Sequence, residues 1–165
     1  MFRSPDQALA FAFRMRNSSV ISIPSATYIA NKTDNEHASD RLTQYDLHAQ
    51  VGMIFAFLSR RPEMEQLYAF YLHGTIRERQ LAAALIIKKN RGRFDRYGLE
   101  SRKLRKAILA RSVRDVTAVS GLTHHRAWHL RRDLAELMLP IQHSLMDALW
   151  DWLLLDQPNT ALVQQ

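Results

Sequence analysis

The sequence has no cysteine anywhere in its 165 residues. Disulfide bonds and thiolate metal sites are therefore excluded, and a chain of this length is able to bury a sizeable core without them. The absence also fits a reducing compartment. Long apolar runs are missing too, because the longest stretches, AAALII and WLLL, are far too short to span a bilayer.

The N-terminal segment MFRSPDQALAFAFRMRNSS also lacks an uninterrupted apolar stretch. Arg14 and Arg16 break up its apolar residues, and Asp6 comes early, a pattern unlike that of a signal peptide. We therefore expect a cytoplasmic protein that has no membrane partner.

Glycine and proline are scarce, with five of each. Almost every long segment instead spaces its apolar residues at helical intervals, which predicts an all-α multi-helix bundle. The first thirty residues differ, because VISIPSATYIA is rich in β-branched residues and contains a proline. Together with the polar run NKTDNEHASDR, this stretch predicts an irregular N-terminal arm and linker over residues 1–42.

A helical body is predicted for residues 43–90. Its three helices are expected from about Gln44 to Arg60, from Pro62 to a stop at Gly74, and over IRERQLAAALIIKK behind a capping box of Thr75 and Glu78. Beyond it, RGRFDRYG predicts a basic loop and LESRKLRKAILAR a fourth helix. Ser112 with Asp115 repeats the cap pattern and predicts the start of a fifth helix.

A last helix, IQHSLMDALWDWLLLD, is expected after Pro140, within residues 139–165. Its apolar face, which includes Leu145, Leu149 and Trp152, is broad for a helix with a single neighbour. Two roles stay open for this helix: an intramolecular lid, or the contact of a homodimer.

Positive charge is concentrated in one block of the chain, from Lys88 to Arg132. The block holds fourteen lysines and arginines against three acids, an excess of eleven positive charges, whereas the whole chain carries +7. The remaining residues are therefore net negative. A local excess of this size predicts a module that binds a polyanion.

The stretch VRDVTAVSGLTHHRAWHLRRDL, which starts at Val113, predicts two helices that meet at a tight turn. Gly121 suits the turn, Leu122 fills the gap between the helices, and Thr123 caps the second helix. This order is that of a helix-turn-helix, which we place in a DNA-binding module of residues 91–138.

The outward side of the second predicted helix carries side chains suited to reading DNA. A helical wheel places them opposite or beside Ala127, Leu130 and Leu134, which are expected to face the first helix. The predicted base-reading residues are His125, Arg126, Trp128, His129 and Arg132. The predicted phosphate contacts are Thr123, His124, Arg131, Arg111, Arg114, Arg102, Lys103, Arg105, Lys106, Lys88, Lys89, Arg91 and Arg93.

The segment SVRDVTAVSGLTHHRAWHL resembles the DNA-reading half of tetracycline-repressor-type and related tri-helical domains. Their usual pattern is Val, Asp-Val-Ala, Ala-Gly-Val-Ser and then an aromatic residue. The matching positions are Val113, Asp115, Val116, Gly121, Leu122, Thr123 and Trp128, while Thr117 and Ser120 stand where alanine is usual. The likeness covers a short stretch near the C-terminus, so it implies the module and not that repressor family.

A second likeness lies in RPEMEQLYAFYLHGTIRERQLAAALI, from Arg61 to Ile86, which is similar to the first helices of sigma-factor region 4. It ends at Ile86, because no Gly-Ile-Ser turn leads from there into a recognition helix. This resemblance implies a contact with RNA polymerase.

Patterns for other chemistry are weak. His125, His129 and Asp133 recur at the spacing of metal ligands on a helix, but the neighbouring arginines would repel a dication, so no metal is predicted. No catalytic constellation is recognisable, and we predict neither an enzyme nor a cofactor. Two interpretations stay open for KKNRGRFDRYG, in which Phe94 and Tyr97 either stack on nucleic-acid bases or enter the core.

The sequence as a whole predicts a sequence-specific DNA-binding transcription regulator of prokaryotic or phage type, with double-stranded DNA as its partner. One alternative is a phage-type antiterminator, or another factor that acts through RNA polymerase. Another is an RNA-binding or scaffold protein in which the helix pair is only structural.

Overall fold

The computed structural model describes residues 2–18 and 38–155, which contain no strand. Its helices are α1 (Pro5–Asn17), α2 (Ala38–Ser59), α3 (Glu63–His73), α4 (Ile76–Lys89), α5 (Arg91–Phe94), α6 (Ser101–Leu109), α7 (Val113–Ser120) and α8 (His124–Leu155), with a 3-10 turn at Asp95–Tyr97 between α5 and α6. The predicted all-α multi-helix fold is therefore confirmed. The chain divides into two units, Met1–Arg60 and Arg61–Gln165.

Helix α1 lies where the sequence predicts an irregular arm. The Ser4 hydroxyl accepts a hydrogen bond from the Gln7 N–H at 3.2 Å, and Pro5 fits the first turn of a helix. Leu9 and Phe13, one turn apart, are both buried. The arm prediction is wrong for this segment, because the cap and the apolar face together specify a helix. The stretch VISIPSATYIA lies outside the described residues.

Helix α2 begins at Ala38, earlier than the predicted start near Gln44, so the end of the predicted linker is helical. In the first unit, the rings of Phe13 and Phe55 meet edge-on with their centroids 5.0 Å apart. The Arg16 guanidinium lies over both rings, 5.0 and 4.8 Å from their centroids. This aromatic contact joins α1 to α2.

Helix α8 makes many of the helix contacts in the second unit. It contacts α3, α6 and α7, while α3 packs on α4 and α4 contacts α6. A buried carboxylate reinforces the contact with α3: Glu65 accepts two bonds from Arg61, at 2.7 and 3.2 Å, and one from the Ser144 hydroxyl at 2.8 Å. Because the carboxylate is paired and hydrogen-bonded, its burial is tolerated.

Helix α8 runs without interruption through Pro140, where the sequence predicts a break. A proline in a helix interior costs about 3 kcal/mol, because it removes a hydrogen bond and crowds the preceding turn. The apolar face nevertheless continues on both sides of the proline through four buried side chains, Leu134, Met138, Leu145 and Leu149. Their packing outweighs the cost, and the expectation of a separate last helix is wrong.

The predicted basic loop RGRFDRYG is ordered as α5 and the 3-10 turn. Phe94 and Tyr97 are buried, so entry into the core is the interpretation that the structure supports. Gly98 ends the turn with a φ of +63°, a left-handed conformation that a side chain disfavours. Neither ring offers an open face on which a base is able to stack.

Candidate nucleic-acid interface

Local hydrogen bonds fix the turn between α7 and α8. Gly121 has a φ of +74°, and its N–H donates to the Thr117 carbonyl at 2.9 Å. The Ser120 hydroxyl donates to the Val116 carbonyl at 2.6 Å and accepts from the Leu122 N–H at 3.1 Å. Helix α7 therefore ends at Ser120, and the chain turns directly into α8.

Both helices begin at the caps that the sequence predicts. The Ser112 hydroxyl accepts from the Asp115 N–H at 3.1 Å, and the Asp115 carboxylate accepts from the Ser112 N–H at 3.2 Å. The Thr123 hydroxyl accepts from the Arg126 N–H at 3.4 Å. Thr123 and His124, two predicted phosphate contacts, are exposed at the start of α8.

The inward side of α8 is also the predicted one. Ala127, Leu130 and Leu134 are buried, as are Val116 of α7 and Leu122 of the turn. This packing fixes the rotation of α8 about its own axis. The side chains on its opposite side consequently face water.

Four of the predicted base-reading residues form one outward stripe on α8, which we call the reading stripe: His125, Trp128, His129 and Arg132. The ring centroids of His125 and His129 are 4.4 Å apart, and those of Trp128 and His129 are 5.1 Å apart. The Arg132 guanidinium lies 5.2 Å from the Trp128 ring centroid, and its Nε lies 3.4 Å from Glu136 Oε1. The stripe is therefore an ordered stack that combines donors with an exposed aromatic ring.

One histidine of the reading stripe, His129, has a shifted pKa. Partial desolvation lowers the pKa of His129 below its ordinary value, and the positive fields of His125 and Arg132 lower it further. The imidazole of His129 is consequently neutral near pH 7 and presents both a donor and an acceptor.

Arg126, the fifth predicted base-reading residue, is bonded to the chain itself. Its Nη2 atom donates to the carbonyls of Arg96 and Tyr97 at 3.1 and 3.2 Å. These bonds join the start of α8 to the turn that Gly98 ends. The base-reading role of Arg126 stays a prediction, and the structure adds a role in holding this turn.

Two of the predicted phosphate contacts also donate to main-chain carbonyls. Arg93 Nη1 lies 2.9 Å from the Asp133 carbonyl oxygen, and Arg131 Nη1 lies 2.6 Å from that of Ala110. Ala110 follows the last residue of α6, so Arg131 links the end of α6 to α8. A third, Lys89, is paired with Glu63 at 2.7 Å.

Sequence reasoning missed a buried polar cluster beneath α8. Asp133 is 3% exposed, and its carboxylate accepts hydrogen bonds from the Arg96 guanidinium and the Tyr97 hydroxyl. The signal in the sequence was the position of Asp133 beside Leu130 and Leu134, at the edge of the inward face of the helix. An acid placed there requires an inward partner.

The cluster changes the acidity of its members. Burial acts to raise the pKa of Asp133, but the hydrogen bonds from Tyr97 and Arg96 outweigh it and hold the pKa below its ordinary value. Burial raises the pKa of Tyr97, and its bond to Asp133 raises it further. The cluster is therefore an ionised carboxylate with a neutral phenol and a guanidinium.

No protein-family model, curated protein or solved structure matches this chain. Within residues 2–18 and 38–155, no group of three or more His, Cys, Asp or Glu side chains is arranged to hold a metal ion. No helix of the same part of the chain is both long and apolar enough to cross a membrane.

Most of the basic block has no partner in the described part of the chain. Six of its fourteen lysines and arginines make hydrogen bonds or ion pairs: Lys89, Arg93, Arg96, Arg126, Arg131 and Arg132. The other eight have no such interaction within the described residues: Lys88, Arg91, Arg102, Lys103, Arg105, Lys106, Arg111 and Arg114. All eight are exposed except Arg105, which is half-buried.

Helix α6 carries the densest group of these free cations. Its inward face consists of Leu104, Ala107 and Ile108, all buried. At about 100° per residue, Arg102 and Lys106 lie opposite that face, one turn apart. The helix therefore presents a row of positive charge to water.

Proposed function

We propose that the unit Arg61–Gln165 is the DNA-binding part of a sequence-specific transcription regulator. Helices α7 and α8 form its helix-turn-helix, and the reading stripe enters the major groove. Double-stranded DNA is the partner, and no catalysis is assigned to the protein.

The observation that carries this proposal is the free positive charge of the basic block. Eight cations that have no partner within the described residues lie in one short segment and repel one another, which lowers stability unless a polyanion binds there. The six partnered cations make contacts within the fold, and these eight make none within the described residues. The remaining eight are therefore able to bind phosphates, which supply most of the affinity of DNA-binding proteins.

The reading stripe supports DNA over a general polyanion. Its side chains are fixed to one another by ring contacts, and α8 is held in rotation by Ala127 and Leu130. Arg132 is able to bridge guanine O6 and N7, and His125 donates to the same acceptors. A fixed array of this kind suits the choice of a base sequence better than a mobile basic tail does.

The two alternatives receive less support. The two rings that the sequence offers for stacking on RNA bases, Phe94 and Tyr97, are buried, whereas Trp128 of the reading stripe is exposed. A factor that acts through RNA polymerase uses the same DNA module, and its support is the resemblance of Arg61 to Ile86. A homodimer stays a prediction, for which the exposed Leu139 and Trp150 on α8 provide an apolar surface.

The proposal is tested by incubating the full chain with a library of random DNA duplexes and sequencing those that it retains. We expect one base motif for the wild type, and loss or change of a position in that motif for Arg132→Ala, since each good base contact gives about 1–3 kcal/mol of discrimination. Arg77→Ala is the matched control, because Arg77 is an exposed arginine of the same unit outside the basic block. It should keep the wild-type motif.

Retention without any motif would contradict sequence-specific binding. A motif that Arg132→Ala leaves unchanged would contradict the assignment of the reading stripe. Preferential retention of RNA in a parallel selection would favour the RNA-binding alternative.

A further inference from the structure

Two histidines of the reading stripe direct the same ring nitrogen toward each other. The Nε2 atoms of His125 and His129 are 3.2 Å apart, and the ring planes are nearly perpendicular, at 76°. The residues are one helical turn apart, and His125 is exposed. His129 is half-buried.

This distance matches a known coordination geometry. Zinc binds histidine nitrogen at about 2.0–2.1 Å, so two nitrogens on a tetrahedral ion lie about 3.3 Å apart. We propose that His125 and His129 bind one borderline divalent transition-metal ion, such as Zn²⁺, through their two Nε2 atoms. Imidazole is a ligand suited to Zn²⁺, Cu²⁺ and Ni²⁺.

The surroundings of the pair reduce the main objection to a dication at this place, which is repulsion by the neighbouring arginines. The Arg126 guanidinium is bonded to the carbonyls of Arg96 and Tyr97. That of Arg132 lies over Trp128, with Glu136 beside it as a negative partner. The acid next to the ion-binding face therefore offsets part of the nearest positive charge.

The tautomers of the two rings also bear on metal binding. A metal ion competes with protons for imidazole nitrogen, so neither Nε2 atom is able to keep a proton when the ion is bound. In the metal-free chain, the 3.2 Å contact is a hydrogen bond when one of the two rings carries its proton on Nε2. Metal binding requires only that this proton move to Nδ1 of the same ring.

Asp133 does not complete the site, although its spacing in the sequence suggests that it would. Its carboxylate is buried and bonded to Arg96 and Tyr97. The chain therefore supplies two ligands, and the other positions on the ion are left to water. A site of this kind binds reversibly, in contrast to a closed structural zinc site.

A metal ion at this pair has a consequence for DNA that rests on the proposed function. The ion would occupy the middle of the reading stripe, so it would change the contacts that His125 and His129 offer to a base. The inferred role is that of an effector that alters DNA binding.

The test is a calorimetric titration of Zn²⁺ into the untagged full chain without DNA. We expect one ion for each chain, and a loss of about tenfold or more in affinity for His125→Ala and for His129→Ala, because each variant loses the second, intramolecular ligand. His124→Ala is the matched control, since His124 is the exposed neighbour in the same turn. Its affinity should equal that of the wild type.

A second readout identifies the ligand atoms. The nitrogen-15 resonances of both Nε2 atoms should shift together as Zn²⁺ is added. Equal affinity in the wild type and both pair variants would overturn the proposal, as would an equal loss in His124→Ala or a shift of only one of the two resonances.

The proposed function is assayed separately, with the selected duplex and with and without Zn²⁺. Zinc should change wild-type binding to that duplex, because the ion would replace the contacts that His125 and His129 offer to a base. Unchanged duplex binding at saturating Zn²⁺ would contradict the effector role. A chain that binds Zn²⁺ at the pair but no duplex would contradict the proposed function and leave the metal site standing.

Discussion

Helix α6 and the first turns of α8 carry similar amounts of positive charge and use it differently. On α6, Arg102 and Lys106 point to water without partners in the described residues. On α8, Arg126 and Arg131 donate to main-chain carbonyls, and Arg132 is held by a ring and a carboxylate. The same residue type therefore supplies free charge in one helix and holds the structure together in the other.

This difference indicates that α6 and α8 have different roles in the proposed interface. Free cations give affinity that depends on salt and little on sequence, because phosphates are the same along a duplex. Side chains fixed in one geometry discriminate between bases, since a rigid donor array fits one pattern of acceptors. Helix α6 is thus assigned to affinity, and α8 to sequence choice.

The largest effect is expected from removing the anchor beneath α8. Asp133→Ala should lower the free energy of unfolding by about 2–3 kcal/mol, because two hydrogen bonds to a buried charge are removed. Urea unfolding of the full chain measures this change. Glu136→Ala is the control on the same helix, and it should cost less than about 1 kcal/mol, because its ion pair with Arg132 is exposed. Equal changes in the two variants would contradict the anchoring role.

The same anchor has a pH signature. The pKa of Asp133 is lower in the folded chain than in the unfolded chain, so its stabilising contribution is complete above the unfolded value of about 3.9. The contribution disappears as the pH falls through the folded pKa. The stability difference between wild type and Asp133→Asn should therefore shrink below about pH 4. A difference that stays constant there would contradict a folded pKa below the unfolded one.

A smaller effect is expected where an arginine links two helices. Arg131→Ala should lower the free energy of unfolding by about 1–2 kcal/mol, since the Ala110 carbonyl at the end of α6 loses its charged donor. Arg102→Ala removes the same charge from α6 and should change stability by less than about 0.5 kcal/mol. Thermal or urea unfolding of the two variants checks the comparison. A destabilisation by Arg102→Ala as large as that by Arg131→Ala would contradict it.

Local patterns in the sequence predicted much of the second unit. The caps at Ser112 and Thr123, the turn at Gly121 and the inward face of Ala127 follow from interactions within a few residues, which the sequence displays directly. The all-α fold class was predicted in the same way, from the helical spacing of the apolar residues.

The errors occurred where distant contacts decide the structure. Pro140 predicts a break by local rules, yet the packing of α8 on α3 keeps the helix intact. The partners of Asp133, Arg126 and Arg131 lie more than twenty residues away along the chain, so no local pattern reveals them. A count of the lysines and arginines in the sequence therefore overstates the positive charge that is free to bind a ligand.

The central claim is that the free cations of α6 bind DNA phosphates, and the salt dependence of duplex binding tests it most directly. The slope of log K against log salt should be less steep by roughly 1.8 in Arg102→Ala/Lys106→Ala than in the wild type, about 0.9 for each phosphate that the variant no longer neutralises. Arg60→Ala/Arg77→Ala, which removes two exposed arginines outside the basic block, should keep the wild-type slope. Equal slopes in all three proteins would contradict the claim.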